Sequence, residues 1–149
     1  MLSKEKVTYD LELDLSEIPK ESRKAALNDV GEFIRDSILD YVGEGKSPVK
    51  GEGSFKKLNK NYADNQKSGD RLANLDLNGD MLDALDFRTS VTASKITVGI
   101  FRKSEAIKAY NHNVGDTLPK RRFIPDESQE FKEEIKRGIK RILQDYGTD

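Results

Sequence analysis

The sequence predicts one α+β domain spanning residues 1–149: a small mixed sheet with a β-hairpin, packed against a long N-terminal helix and a C-terminal helix, with residues 44–69 as an extended loop or arm. Three observations predict it. Residues 7–16 alternate apolar and polar, as in a half-buried strand; two long stretches, one near each end, repeat apolar residues at steps of three and four; and residues 87–100 alternate again on both sides of a turn. Strands and helices follow one another without a repeating strand-helix-strand rhythm, which argues against a parallel α/β sheet.

The first strand places Val7, Tyr9, Leu11, Leu13 and Leu15 on one face and Thr8, Asp10, Glu12, Asp14 and Ser16 on the other. Pro19 suits the first turn of a helix, and Leu27, Val30, Ile34, Ile38 and Tyr41, joined by Ala26 and Phe33, then form an apolar stripe to about Val42. Gly43 and Gly45 free the backbone to end that helix. From Glu44 to Gly69, glycines and Pro48 interrupt a lysine-rich stretch, read as an extended loop with a short helical piece near Leu58 to Asn65.

An Asn78-Gly79 turn leads into a short helix whose Met81, Leu82 and Leu85 face the core. In the hairpin, Phe87, Thr89, Val91 and Ala93 share a face, as do Ile96, Val98 and Ile100 after a turn around Ser94. Ser104 is placed as the cap of a short helix that carries Ala109, Tyr110 and His112 and stops near Gly115. Pro119 to Pro125 encloses the basic turn Lys120-Arg121-Arg122. Asp126, with Gln129 three residues on, is placed as the cap of a last helix striped by Phe131, Ile135, Ile139, Ile142 and Tyr146.

The 26 Lys and Arg balance 27 Asp and Glu to a net charge of -1, so the global charge points neither to nucleic acid nor to an anionic membrane. A charged fraction of 36% reads first as a solvated surface, and it also suits subunits that meet through complementary polar patches. The absence of cysteine excludes disulfides and thiol chemistry and fits folding in a reducing compartment such as bacterial cytosol. No stretch has the length of a signal peptide's apolar core or of a membrane helix.

Chemistry has little foothold. His112 is the single histidine and cannot form a histidine cluster, and phosphate-loop, dinucleotide and nucleophile-elbow motifs are missing. Asp76, Asn78, Asp80 and Asp83 resemble a calcium loop, but the glycine comes one ligand too early and the closing glutamate is missing, so an Asn-Gly turn before a short acidic helix is the better reading. No catalytic residue, cofactor or metal is predicted. The lysine-rich loop, with Phe55 and Tyr62 among Lys56, Lys57 and Lys60, has the composition of a nucleic-acid contact and supplies the alternative function, a nucleic-acid-binding accessory protein.

A series of short motifs occurs in a fixed order. Gly45-Lys46-Ser47-Pro48-Val49 is followed by Phe55-Lys56-Lys57-Leu58 with Asn61-Tyr62-Ala63, then by Leu77-Asn78-Gly79-Asp80-Met81-Leu82-Asp83-Ala84-Leu85. After the hairpin come Ala109-Tyr110-Asn111-His112-Asn113-Val114-Gly115 and Pro119-Lys120-Arg121-Arg122-Phe123-Ile124-Pro125. Over roughly residues 43 to 145 this succession resembles the phage virion morphogenesis and tail-completion proteins. Asn78-Gly79 stands where that family usually has Thr-Gly, and Arg121-Arg122-Phe123 replaces its arginine-proline-phenylalanine form.

The resemblance implies a structural subunit, not an enzyme: a homo-oligomeric ring, hexamer or dodecamer, at the neck or tail end of the virion, made in the host cytoplasm. Its implied partners are further copies of itself and portal, connector or tail-tube proteins, with DNA passing through the lumen without specific binding. A ring subunit needs arms that order on neighbours, which makes Lys56, Lys57, Lys60 and Tyr62 interface candidates. Arg121, Arg122 and Phe123 join them, because arginine and aromatic residues are favoured at interfaces. Asp80, Asp83 and Asp86 are candidates for the channel wall, where carboxylates would repel the duplex and let it slide.

Overall fold

The computed structural model describes residues 2–55, 79–115 and 120–147, with residues 79 and 80 described by their backbone alone. Strand β1, Val7–Glu12, pairs antiparallel with β3, Lys95–Ile100, and β3 pairs antiparallel on its other side with β2, Leu85–Ser90. The sheet order is therefore β1-β3-β2. The α+β class expected from the sequence is what the chain adopts, with a sheet that is antiparallel throughout instead of mixed. β1 and β2 do run in the same direction, but β3 lies between them and pairs with both.

Register sorts the side chains. Val7, Tyr9 and Leu11 lie opposite Ile100, Val98 and Ile96, which in turn lie opposite Leu85, Phe87 and Thr89, so one face is apolar across all three strands. The other face carries Thr8, Asp10 and Glu12, then Gly99, Thr97 and Lys95, then Asp86, Arg88 and Ser90. Gly99 has φ +151° and lies so close to β1 that a Cβ would sit 2.0 Å from the carbonyl oxygen of Val7, which requires glycine there.

Helix α1, Arg23–Gly43, follows a turn of 3₁₀ helix at Lys20–Ser22 and covers the apolar face of the sheet. Ala26, Leu27, Val30, Ile34, Ile38 and Val42 are buried along it and belong to one core with Leu85, Ile96, Val98 and Ile100. Each fully buried aliphatic side chain of this kind contributes roughly 1.5–3 kcal/mol relative to exposure. Helix α4, Glu133–Tyr146, packs against α1 and runs antiparallel to it: the Tyr41 hydroxyl donates to Glu134 near one end, and the Tyr146 hydroxyl donates to Asp29 near the other.

The short helix α2, Gly79–Asp83, ends before Leu85, which opens β2 instead of continuing the helix. β2 stops at Ser90, so Val91 and Ala93 lie in the exposed turn. Helix α3, Lys103–Val114, begins one residue before Ser104; Arg102 occupies the cap position and no side chain caps it. The predicted end is met: Gly115 takes the left-handed conformation at φ 75° and donates its N–H to the Asn111 carbonyl.

Two expectations change more. Asp126 and Gln129 do form a cap-like turn, with the Asp126 N–H donating to Gln129 Oε1 at 3.2 Å and the Gln129 N–H donating to the Asp126 carbonyl at 3.1 Å. The helix nevertheless starts at Glu133, because Phe131 is held extended in a bridge to Val49, flanked by Lys50 N–H to Glu130 carbonyl at 2.8 Å and Lys132 N–H to Pro48 carbonyl at 2.9 Å. The same contacts correct the arm. Residues 44–55 fold back through a Lys46–Ser54 bridge and bury Ser47, Val49 and Phe55 against the body. The rest of the predicted arm, from 56 to 69, lies outside the described residues.

Candidate functional site

The residues that carry the late motifs come together at the C-terminal end of α3. Asn113 is fully buried, and its side-chain oxygen accepts the backbone N–H groups of both Phe123 and Ile124 at 2.8 Å, while its amide nitrogen donates to the Ala109 carbonyl at 2.7 Å. One residue earlier, the His112 carbonyl accepts the Arg121 N–H at 2.7 Å. From the other side the Ser47 hydroxyl donates to the Arg122 carbonyl at 2.6 Å and accepts the Val49 N–H at 3.1 Å. Segments 45–49, 112–115 and 121–125 thus form one knot of buried hydrogen bonds, in which the N–H groups of Arg121, Phe123 and Ile124 and the Arg122 carbonyl are satisfied.

Gly115 lets the chain leave α3 tightly enough for this. A Cβ on it would lie 2.6 Å from the Lys120 Cβ. Burial in the knot, and then the nearby Arg121 guanidinium, push the His112 imidazole from its ordinary pKa of 6.5 down to about 4. It is therefore a neutral packed residue at neutral pH.

The knot encloses three of the expected interface residues. Phe123 is fully buried, and Arg121 and Arg122 are only 7% and 8% exposed, so these three side chains are packed within the chain's own body. The backbone pulls them in: with three consecutive backbone groups bonded to His112, Asn113 and Ser47, the turn lies under α3 with its side chains enclosed. Arg122 keeps one weak bond, from its guanidinium to the Ile124 carbonyl at 3.4 Å, and its charge helps hold the Asp126 carboxyl below its usual range, after the Ser128 hydrogen bonds that chiefly do so. The other interface candidates, Lys56, Lys57, Lys60 and Tyr62, lie outside the described residues.

Of the three proposed channel carboxylates, the Asp80 side chain lies outside the described residues, while Asp83 and Asp86 are exposed and line one cleft of about 480 Å³. Its other lining residues are Arg35 from α1, Arg88 from β2, Arg102 from the start of α3, and Ala84, Leu85 and Phe101. This wall is mixed in charge, with three guanidiniums beside the two carboxylates. Arg88 lies over the Phe101 ring at 4.0 Å and Arg35 over the Phe87 ring at 5.8 Å.

The sequence by itself assigns no role to Asn113 or to the three cleft arginines. Asn113 sits inside a quoted motif, and an amide two residues before a helix-ending glycine is its one available signal. The arginines come from three separate segments, at positions 35, 88 and 102, and no local pattern joins them. No family model, curated protein or solved structure matches this chain.

Proposed function

We propose that the chain is a structural subunit of a phage neck or tail-completion ring, acting through contacts with its own copies and with portal, connector or tail-tube proteins, and not through chemistry. The observation that carries this reading is the knot. The last two of the motifs that carry the family resemblance are spent on internal hydrogen bonds, with Asn113 joining one to the other, as suits a rigid body. What remains exposed suits assembly. Both β1 and β2 are outer strands of the three-stranded sheet among the described residues, and Val91 is 40% exposed at the tip of the hairpin beside Ala93. A plate whose β1 edge is covered by Leu2 only at Val7, and whose β2 edge carries no further strand among the described residues, can be continued by identical neighbours in a head-to-tail arrangement that closes into a ring.

Light scattering coupled to size exclusion, with imaging of any large species, tests the proposal. A closed ring of six or twelve copies, formed alone or on adding portal or tail-tube protein, is the expected result. A strict monomer that forms no such complex and instead binds duplex DNA tightly and in a salt-sensitive way would overturn it in favour of a nucleic-acid accessory role. In the virion reading the protein is made in the host cytoplasm and ends in the particle, with DNA passing through the lumen.

A further inference from the structure

The cleft between α1, the β2 strand and the start of α3 holds more organised chemistry than a solvated surface requires. Among the described residues, neither Arg88 nor Arg102 forms an ion pair within 4.0 Å, although Asp83 and Asp86 line the same cleft. Arg35 is offset by its neighbour Asp36 at 3.8 Å, whereas the Arg88 and Arg102 charges lie beside the two cleft aspartates without pairing with them. Arg88 is also not a loose chain, because its guanidinium lies 4.0 Å from the centroid of the Phe101 ring while the residue stays exposed to solvent. A guanidinium is planar, and one fixed by a ring contact while still exposed is a group on which a further ring can stack.

Arg35 and Arg102 add positive charge on either side, and the two aspartates add acceptors. The cleft has a volume of about 480 Å³, is open to solvent, and is lined mainly by polar groups, which suits a polar ligand that stays partly exposed.

We propose that this cleft binds one nucleotide unit, its phosphate held by the arginines, its base stacked on the Arg88 platform, and its amino or hydroxyl donors accepted by Asp83 and Asp86. The combination selects among anions. A bare phosphate uses the arginines and gains nothing from the ring or the aspartates. An acidic peptide gains from the arginines but meets two like charges in the same cleft. A nucleotide carries an anion, a flat ring and hydrogen-bond donors together, and each has a counterpart here. The unit can belong to a nucleic-acid strand or to a free nucleotide. The inference does not rest on the ring reading, since every group it uses lies within one subunit.

Fluorescence anisotropy of the full chain with a labelled short single strand of mixed sequence, at low salt, tests it. The R88Q/R102Q variant, whose changes are confined to exposed side chains, should keep its thermal melting and bind the probe at least about tenfold more weakly. Adenosine monophosphate should displace the probe at concentrations where inorganic phosphate does not, and D83N/D86N should narrow that difference. Displacement by the mononucleotide as effective as by the unlabelled strand would identify a free nucleotide as the ligand; displacement by the strand alone at low concentration would identify nucleic acid. The proposal fails if the probe does not bind, if R88Q/R102Q binds as tightly as the native chain, if phosphate competes as well as the mononucleotide, or if a glutamate-rich peptide competes as well as the strand. The last result would mark the cleft as a protein-docking site.

Discussion

Asn113 satisfies two backbone N–H groups with one carbonyl oxygen, in a site with no access to water. Asn113→Ala leaves both donors buried without a partner, and at about 1–3 kcal/mol for each group the fold should lose roughly 2–6 kcal/mol, read as a lower urea midpoint. A loss below about 0.5 kcal/mol would mean that the strap relaxes onto other acceptors. Its neighbour His112 makes a prediction in pH. The unfolded chain takes up a proton near 6.5 and the folded chain only near about 4. The stability this residue contributes is therefore complete above pH 6.5, falls as pH falls, and is lost by about pH 4, a change of about 3 kcal/mol. Unfolding measured between pH 7 and 5, above the range in which the carboxylates titrate, should show that slope, and His112→Gln should flatten it. Neither role was legible in the sequence. A lone histidine and a nearby asparagine look alike whether they face water or close a buried knot, and the partners that decide it lie up to eleven residues further along the chain.

Elements were more legible than residues because their periodicity is local. The alternation of Val7, Tyr9 and Leu11 and the stripe through Leu27, Val30, Ile34 and Ile38 gave the strand and the helix their faces correctly, since burial follows the period of the backbone. The start of α4 was misplaced for the opposite reason: the local cap at Asp126 forms, but Val49, far away in sequence, holds Phe131 in an extended bridge that no local pattern reveals. How closely the helices approach is likewise tertiary. A Cβ on Gly138 would lie 2.1 Å from the Phe33 ring, and one on Gly31 would lie 2.2 Å from the Phe87 ring. In an isolated helix Gly138→Ala gains about 1 kcal/mol of helix propensity. Here the methyl must displace the Phe33 ring between α1 and α4, at a cost of about 1–3 kcal/mol. Thermal melting should therefore fall or stay level for Gly138→Ala, and a clear rise would show that the two helices separate easily.

At the scale of the molecule, a net charge of -1 hides segregation. Asp29, Glu32, Asp36 and Asp40 are exposed along α1, while Arg137, Lys140 and Arg141 are exposed along the adjoining α4. In the sequence these runs are a hundred residues apart and read as ordinary solvated helix faces; the antiparallel packing of the two helices sets an acidic band beside a basic one. Intramolecular pairing does not consume them, since among the described residues Glu32, Asp40, Arg137, Lys140 and Arg141 form no ion pair within 4.0 Å. Exposed pairs add little to the stability of a single chain, on the order of 0–1 kcal/mol each, but several meeting across an interface steer association and fix its register. If copies of this chain assemble through its helical layer, the mass measured by light scattering should fall as salt rises, because exposed charges are screened within about 10 Å at 0.1 M and about 3 Å at 1 M. The variant R137E/K140E/R141E should melt like the native chain yet fail to assemble at low salt, and mixing it with D29K/E32K/D36K, which reverses the facing band, should restore mixed complexes. Assembly that is indifferent to both salt and charge reversal would place the contact elsewhere, on the strand edges and the Val91 tip, where Val91→Glu would then be the substitution that breaks it.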